Sequence, residues 1–216
     1  MFFQIKQSLD LATIGKYPQI EEGIYPVGLD HPNLIDKIFF EKSTFSPIVP
    51  LLKLAKAAKY TDLMSNSVFG LGLKLLVSDR LKTIIESFKH TGFEFFETKV
   101  EHGLESKRYW IMSAYEMDYE SLDLEGSKFM LMKDIFEEVK EIQFNSFSDL
   151  FKWREILAKQ YGQEFTLRIK KLAFNTTSEN VLFLNPVSGG IGYFVSDKVK
   201  TQIEQIGCTG LDFVKV

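Results

Sequence analysis

Cysteine is almost missing from this chain: Cys208 is the only one among 216 residues. One thiol cannot close an internal disulfide, so packing and hydrogen bonds must hold the fold, which fits a reducing compartment. Glycine and proline are sparse as well, at 14 and 6, leaving little material for long linkers or low-complexity segments. An excess of either charge is also lacking. With 26 basic against 29 acidic side chains the formal net charge is -3, and without a cationic excess there is no electrostatic footprint of a general nucleic-acid binder. The longest uncharged stretch, Asn180 to Ser196, contains Asn185, Pro186, Ser188 and three glycines. It reads as strand, turn, strand and cannot span a bilayer. Lys6 and Asp10 interrupt the apolar start, so no signal-peptide segment is expected there. These absences point to a cytoplasmic protein with neither nucleic acid nor membrane as direct partner.

Catalytic signatures are missing too. The chain holds no Walker A loop, no H-E-x-x-H, no G-x-S-x-G and no paired C-x-x-C. Ser188-Gly189-Gly190-Ile191-Gly192 is glycine-rich, but a phosphate loop leads into a helix, whereas Tyr193 to Val195 reads as a strand, so a hairpin turn is expected. His31, His90 and His102 share no ligand spacing. Cys208 reads as a small apolar side chain rather than a reactive thiol. No catalytic, cofactor-binding or metal-binding residues are assigned.

What is abundant is phenylalanine, 20 residues, and what is ordered is a repeat. Val77-Ser78-Asp79-Arg80-Leu81-Lys82-Thr83-Ile84-Ile85-Glu86, ending in Thr91-Gly92-Phe93-Glu94-Phe95, aligns without gaps on Val195-Ser196-Asp197-Lys198-Val199-Lys200-Thr201-Gln202-Ile203-Glu204, ending in Thr209-Gly210-Leu211-Asp212-Phe213. Ten positions are identical. Each copy reads as a strand (Leu75 to Val77; Tyr193 to Val195), a serine N-cap with an aspartate at the positive end of the helix, an amphipathic helix, a Thr-Gly turn and a second strand of period two. The phenylalanines fall mostly on such elements and read as core filling.

Around the repeat, Phe2 to Gln7 reads as a strand, Tyr17 to Pro32 as irregular with a short extended piece, and Leu51 to Tyr60 as an amphipathic helix with Lys53, Lys56 and Lys59 on its solvated face. Glu97 to His102 and Lys107 to Ala114 form a hairpin across Gly103. Ser127 to Met132, Glu141 to Phe144, Phe165 to Phe174 and Val181 to Leu184 are further strands, and Phe147 to Tyr161 a helix capped by Ser146 or Ser148. The fold class is α+β: a mixed, largely antiparallel sheet with a few packed helices and two copies of a strand-helix-strand unit. A single domain over residues 1–216 is expected, with residues 1–50 as a subregion and the repeat at residues 75–98 and 193–216.

Acidic residues are locally concentrated. Glu116, Asp118, Glu120, Asp123 and Glu125 fall within ten residues, and Asp134, Glu137, Glu138 and Glu141 would share a face if residues 133–142 were helical. Such clusters can be a solvated face, a catalytic pair or a docking surface for a basic partner.

Ala58-Lys59-Tyr60-Thr61-Asp62-Leu63-Met64-Ser65, then Gly70-Leu71-Gly72, Leu76-Val77-Ser78, Lys99-Val100, Tyr109-Trp110 and the closing second copy follow in an order that resembles bacterial immunity proteins of polymorphic toxin systems, the immunity protein 11 group and its relatives. The resemblance spans roughly residues 55–135 and 140–216. It implies a non-enzymatic cytoplasmic protein that binds and neutralises a cognate toxin domain, and it transfers no catalytic residues. Under it, Glu116, Asp118, Glu120, Asp123 and Glu125 are the expected partner-binding residues. The alternatives are an enzyme using a carboxylate site among Asp118, Glu120 and Asp123, and a scaffold or oligomerisation module.

Overall fold

Thirteen strands and four α-helices occur among the residues described by the computed structural model, which are 1–68, 71–72, 74–134, 136–157, 159, 164–187 and 190–216. In chain order they are β1 (Phe2–Gln7), α1 (Leu11–Ile14), β2 (Ile20–Ile24), β3 (Leu51–Leu54), β4 (Leu63–Met64), β5 (Leu75–Val77), α2 (Asp79–Phe88), β6 (Phe93–His102), β7 (Glu105–Ala114), β8 (Lys128–Lys133), β9 (Glu137–Ile142), α3 (Phe147–Ile156), β10 (Phe165–Lys171), β11 (Val181–Val187), β12 (Gly190–Ser196), α4 (Asp197–Ile206) and β13 (Leu211–Lys215). They build a seven-stranded sheet, ordered β13-β1-β12-β11-β10-β8-β9, and a six-stranded sheet, ordered β2-β3-β6-β7-β5-β4. Among the described strands only the β10–β11 and β3–β6 pairings are parallel, so the fold is α+β with mixed, largely antiparallel sheets, as the sequence pattern predicts.

Both copies of the repeat fold alike, and the likeness reaches further than the identities. Leu63 pairs with Val77 and Met64 with Leu76; 118 residues later Val181 pairs with Val195 and Leu182 with Phe194. Each copy is therefore a hairpin, a helix and a strand. In neither copy do the strands flanking the helix touch. β7 lies between β5 and β6, antiparallel to both, and β1 lies between β12 and β13 in the same way. The registers agree: Trp110 faces Val77 and Met112 faces Phe95, while Phe3 faces Val195 and Ile5 faces Phe213. Strand β1 thus plays in the second copy the part that β7 plays in the first.

The capping chemistry repeats as well. Ser78 Oγ accepts from the Leu81 amide at 3.2 Å, and Ser196 Oγ from the Val199 amide at 3.4 Å. The same hydroxyls donate to Asp62 Oδ1 at 2.6 Å and to Asn180 Oδ1 at 2.8 Å. Gly92 and Gly210 take the expected positive φ, +85° and +82°. At Gly210 the absence of a side chain is needed twice over, because a Cβ there would lie 2.2 Å from the Leu63 carbonyl oxygen.

Alternation with period two gives each sheet two buried faces. Between the sheets lies one core, in which α2 and α4 pack side by side: Leu81, Ile84, Ile85, Val199 and Ile203 meet Leu75, Val77, Phe93 and Met112 from one sheet and Phe183, Tyr193 and Val195 from the other. The outer face of the seven-stranded sheet carries a second core, with Phe129, Leu131, Leu167, Leu182 and Phe194 under Phe144 and Leu150. The six-stranded sheet encloses a third, with Ile20, Leu52, Leu54, Met64, Leu76, Val100, Tyr109 and Ile111. Its two edges meet, since Ile20 of β2 bridges Asn66 just past β4 and the amides of Gln19 and Ile20 donate to the Ser65 carbonyl at 3.1 and 2.9 Å. The buried Gln19 side chain locks this seam: its Nε2 donates to the Lys59 carbonyl and Thr61 Oγ1, and its Oε1 accepts from the Ser65 amide.

Two expectations are corrected. Residues 51–54 form strand β3, not the start of a helix over Leu51–Tyr60: Leu52 and Leu54 are buried in the barrel, and the strand is held by β2 and β6 on its two sides. Helix-forming residues yield here to tertiary pairing. Asp134, Glu137, Glu138 and Glu141 do not share a helical face, because residues 137–142 form edge strand β9, whose alternation turns Glu137 and Glu138 to opposite sides. Exposed charge on that edge is the usual guard against strand addition. The Ser188-Gly189 turn and the end of the predicted helix at Tyr161 lie outside the described residues.

Candidate functional site

The acidic segment leaves the end of β7 and crosses to the seven-stranded sheet. Its five carboxylates are not equivalent. Asp118 is spent inside the protein: its Oδ1 lies 2.6 Å from Nζ of the buried Lys89, its Oδ2 accepts from the Phe183 amide at 2.7 Å, and its own amide donates to the Phe183 carbonyl at 2.9 Å. It fastens the segment to β11. Asp123 closes a turn, its Oδ1 accepting from the amides of Glu125 and Gly126 at 3.1 and 3.0 Å. Glu116, Glu120 and Glu125 are exposed. Of the carboxylates that a hydrolytic site among Asp118, Glu120 and Asp123 would need, two are thus engaged in holding backbone. The three glutamates face solvent.

Among the described residues the most heavily bonded carboxylate lies elsewhere. Asp62 is buried and accepts from Ser78 Oγ, from Arg80 Nε at 3.0 Å and Nη2 at 2.6 Å, and from the Thr209 amide at 2.8 Å. Burial alone would raise its pKa, but the bonds from Arg80, Ser78 and Thr209 outweigh it and hold the carboxyl below its ordinary range. Arg80 continues to the carbonyls of Ile206 and Gly207 at the end of α4. The start of one repeated helix is thereby tied to the end of the other. Cys208, packed against the core beside this pair, has its thiol pushed up to about 11 by burial and the Asp62 charge, so thiolate chemistry is suppressed at neutral pH.

The histidines stay apart. His31 Nδ1 accepts from the Asn33 amide, His90 is exposed beyond α2, and His102 lies at the tip of β6 against the Lys56 carbonyl. Among the described residues no group of three His, Cys, Asp or Glu side chains could hold a metal ion, and no helix is long and apolar enough to cross a membrane.

Sequence reasoning missed the tip of the β6–β7 hairpin. Leu104 there is 107% exposed, the fullest exposure of any large apolar side chain described. The hairpin itself is predicted correctly, with Gly103 at φ +62° in its turn; the leucine gave no periodic signal because a single turn residue has no period.

Comparison with curated proteins finds no match. Comparison with protein families finds a match over residues 47–216, which takes in both copies of the repeat, the barrel from β3 onward and the acidic segment. The chain belongs to the Imm11 immunity protein family.

Proposed function

We propose that this protein is a cytoplasmic immunity protein that binds the toxin domain made by its own strain and neutralises it by covering the active site, without catalysing a reaction itself. Membership of the immunity family is the observation that carries this reading. The exposed Glu116, Glu120 and Glu125 are proposed to face the partner. Toxins that act on nucleic acid are basic, and carboxylates on the approach side speed encounter and disfavour wrong partners. Asp118 and Asp123 hold the segment in place for them.

Co-expression with the toxin encoded beside this gene tests the function. Cells should survive, and the two proteins should elute as one complex on a sizing column. Death of the cells together with separate elution would refute it. Reversing Glu116, Glu120 and Glu125 to lysine is expected to lower the association rate about tenfold at low salt and less at high salt. An unchanged rate would remove these glutamates from the docking surface.

A further inference from the structure

The β6–β7 hairpin runs on past the part of the fold that the two copies share. In the second copy, β13 and β1 are paired from Leu211–Gln7 to Lys215–Phe3. In the first, β6 and β7 are paired over the equivalent stretch, Phe93–Ala114 to Glu97–Trp110, and then through five further pairs ending at His102–Glu105. Beyond Val100, whose side chain fills the barrel, the extension runs out into solvent: residues 103–108 are all exposed.

The extension is nevertheless stiff. Strand β3 lies along it through Leu52–Val100 and Lys53–Glu101, and Lys53 forms an ion pair with Glu101. Tyr60 OH donates to the Val100 carbonyl at 3.3 Å, and the His102 ring packs edge-on to Tyr60. The Lys107 ammonium sits 4.0 Å over the same tyrosine. At the base, Arg108 grips Asp79 at the start of α2 through Nε at 3.0 Å and Nη2 at 3.0 Å. A leucine held fully in water at the end of such a braced projection gives up little freedom on being enclosed, which is how a preorganised anchor gains affinity. Its surroundings are cationic. With Lys53 matched by Glu101 and Arg108 by Asp79, the charges left on the extension and beside it are Lys56, Lys99 and Lys107 against Glu97 and Glu105, so the positive sign prevails.

We propose that the tip of this hairpin, with Leu104 at its centre and Lys56, Lys99 and Lys107 around it, is the anchor that seats the protein in its toxin. The matching surface is a cleft with an apolar floor and a rim of carboxylates, the kind of groups a hydrolase uses to activate water or hold a divalent ion. A cationic finger placed there occludes the site directly. The anchor rests on the toxin-binding reading. It lies roughly 30 Å from Glu116, ten strand residues at about 3.3 Å each, so the glutamates act on encounter and the finger on retention.

The test uses the toxin domain encoded beside this gene, inactivated by substitution, and full-length variants of this protein in biolayer interferometry. Leu104→Asp is expected to weaken binding about 30-fold or more, mainly through faster dissociation, with an unchanged melting curve because the side chain touches nothing. Leu104→Met should restore most of the affinity, and Lys99→Glu with Lys107→Glu should weaken it as well. If the wild type binds and Leu104→Asp binds within about twofold of it, the anchor is overturned while the neutralising function stands. If the wild type forms no complex, both fall.

Discussion

The two copies of the repeat share backbone, caps and register, yet they differ in charge at the places where they meet. Asp62 in the first corresponds to Asn180 in the second, and Arg80 to Lys198. Both acceptors hold the capping serine, but only Asp62 also holds Arg80 and the Thr209 amide of the other copy. Lys198 instead lies 5.3 Å over the Phe88 ring. Conserving the cap while varying the cross-link shows two layers of design. The repeated residues specify each unit, and the residues that break the repeat join one unit to the other.

Removing the acceptor from each copy tests that division most severely. Asp62→Ala leaves the Thr209 amide and the Arg80 guanidinium without their carboxylate, and a loss of about 3 kcal/mol is expected. Asn180→Ala removes one hydroxyl bond and should cost about 1 kcal/mol. Urea unfolding at constant slope measures both; equal losses would show that Asp62 is no cross-link. Acid adds a second measurement. Because the folded Asp62 carboxyl titrates below its unfolded value, its stabilisation is present above the unfolded pKa near 4 and lost as pH falls through the folded one. Asp62→Asn should flatten that part of the stability profile.

The unit was legible in the sequence because its determinants are local. Ser78 and Ser196 cap their own helices, Leu81, Ile84 and Ile85 repeat at the helical period, and Gly92 and Gly210 stand where positive φ is required. The extension of the likeness to Asp62 and Asn180 was not legible, since the hairpin between acceptor and serine keeps its register without keeping its residues. Nor was the pairing of β1 with β12 and β13, which joins the two ends of the chain and leaves no periodic trace. Residues 51–54 misled for the opposite reason: leucines and lysines there satisfy a helical pattern, and only the distant strands β2 and β6 make them extended. At the candidate site, the sequence shows the acidic segment but could not separate Asp118 and Asp123, which bond to backbone, from the exposed glutamates.

A sharper contrast lies inside the hairpins. Lys74 of the first copy corresponds to Gly192 of the second, and it is 3% exposed, with its ammonium donating to the Ile38 carbonyl at 3.0 Å and lying 5.5 Å over the Phe39 ring. Burial pushes its pKa down to about 8, against the pull of Asp36. The unfolded chain therefore binds the extra proton between pH 8 and 10, so stability should rise with pH across that window, by on the order of 2 kcal/mol for this group. Subtracting the profile of Lys74→Met isolates the effect from tyrosines that titrate nearby. A difference profile without a rise would mean that the first copy carries no penalty for its buried cation.

The finest test concerns what the copies keep in common. Lys82 lies 4.6 Å over the Trp110 ring and 5.1 Å over Phe95, and it pairs with Glu86 one turn on. Lys200 lies 5.2 Å over Phe3 and 5.5 Å over Phe213, and it pairs with Glu204. In each case one ring comes from the inserted strand and the other from the strand that follows the helix, so the ammonium ties the helix to both members of a paired couple, β6 with β7 or β13 with β1. Lys82→Ala and Lys200→Ala should each cost about 0.5–1 kcal/mol, with additive losses in the double variant because the two sites share no partner. Trp110 presents a larger face than Phe3, which places Lys82→Ala at the upper end of that range. A cost at Lys82 alone would mean that β1 fills the place of β7 without its function, and the equivalence of the two inserted strands would then be one of backbone only.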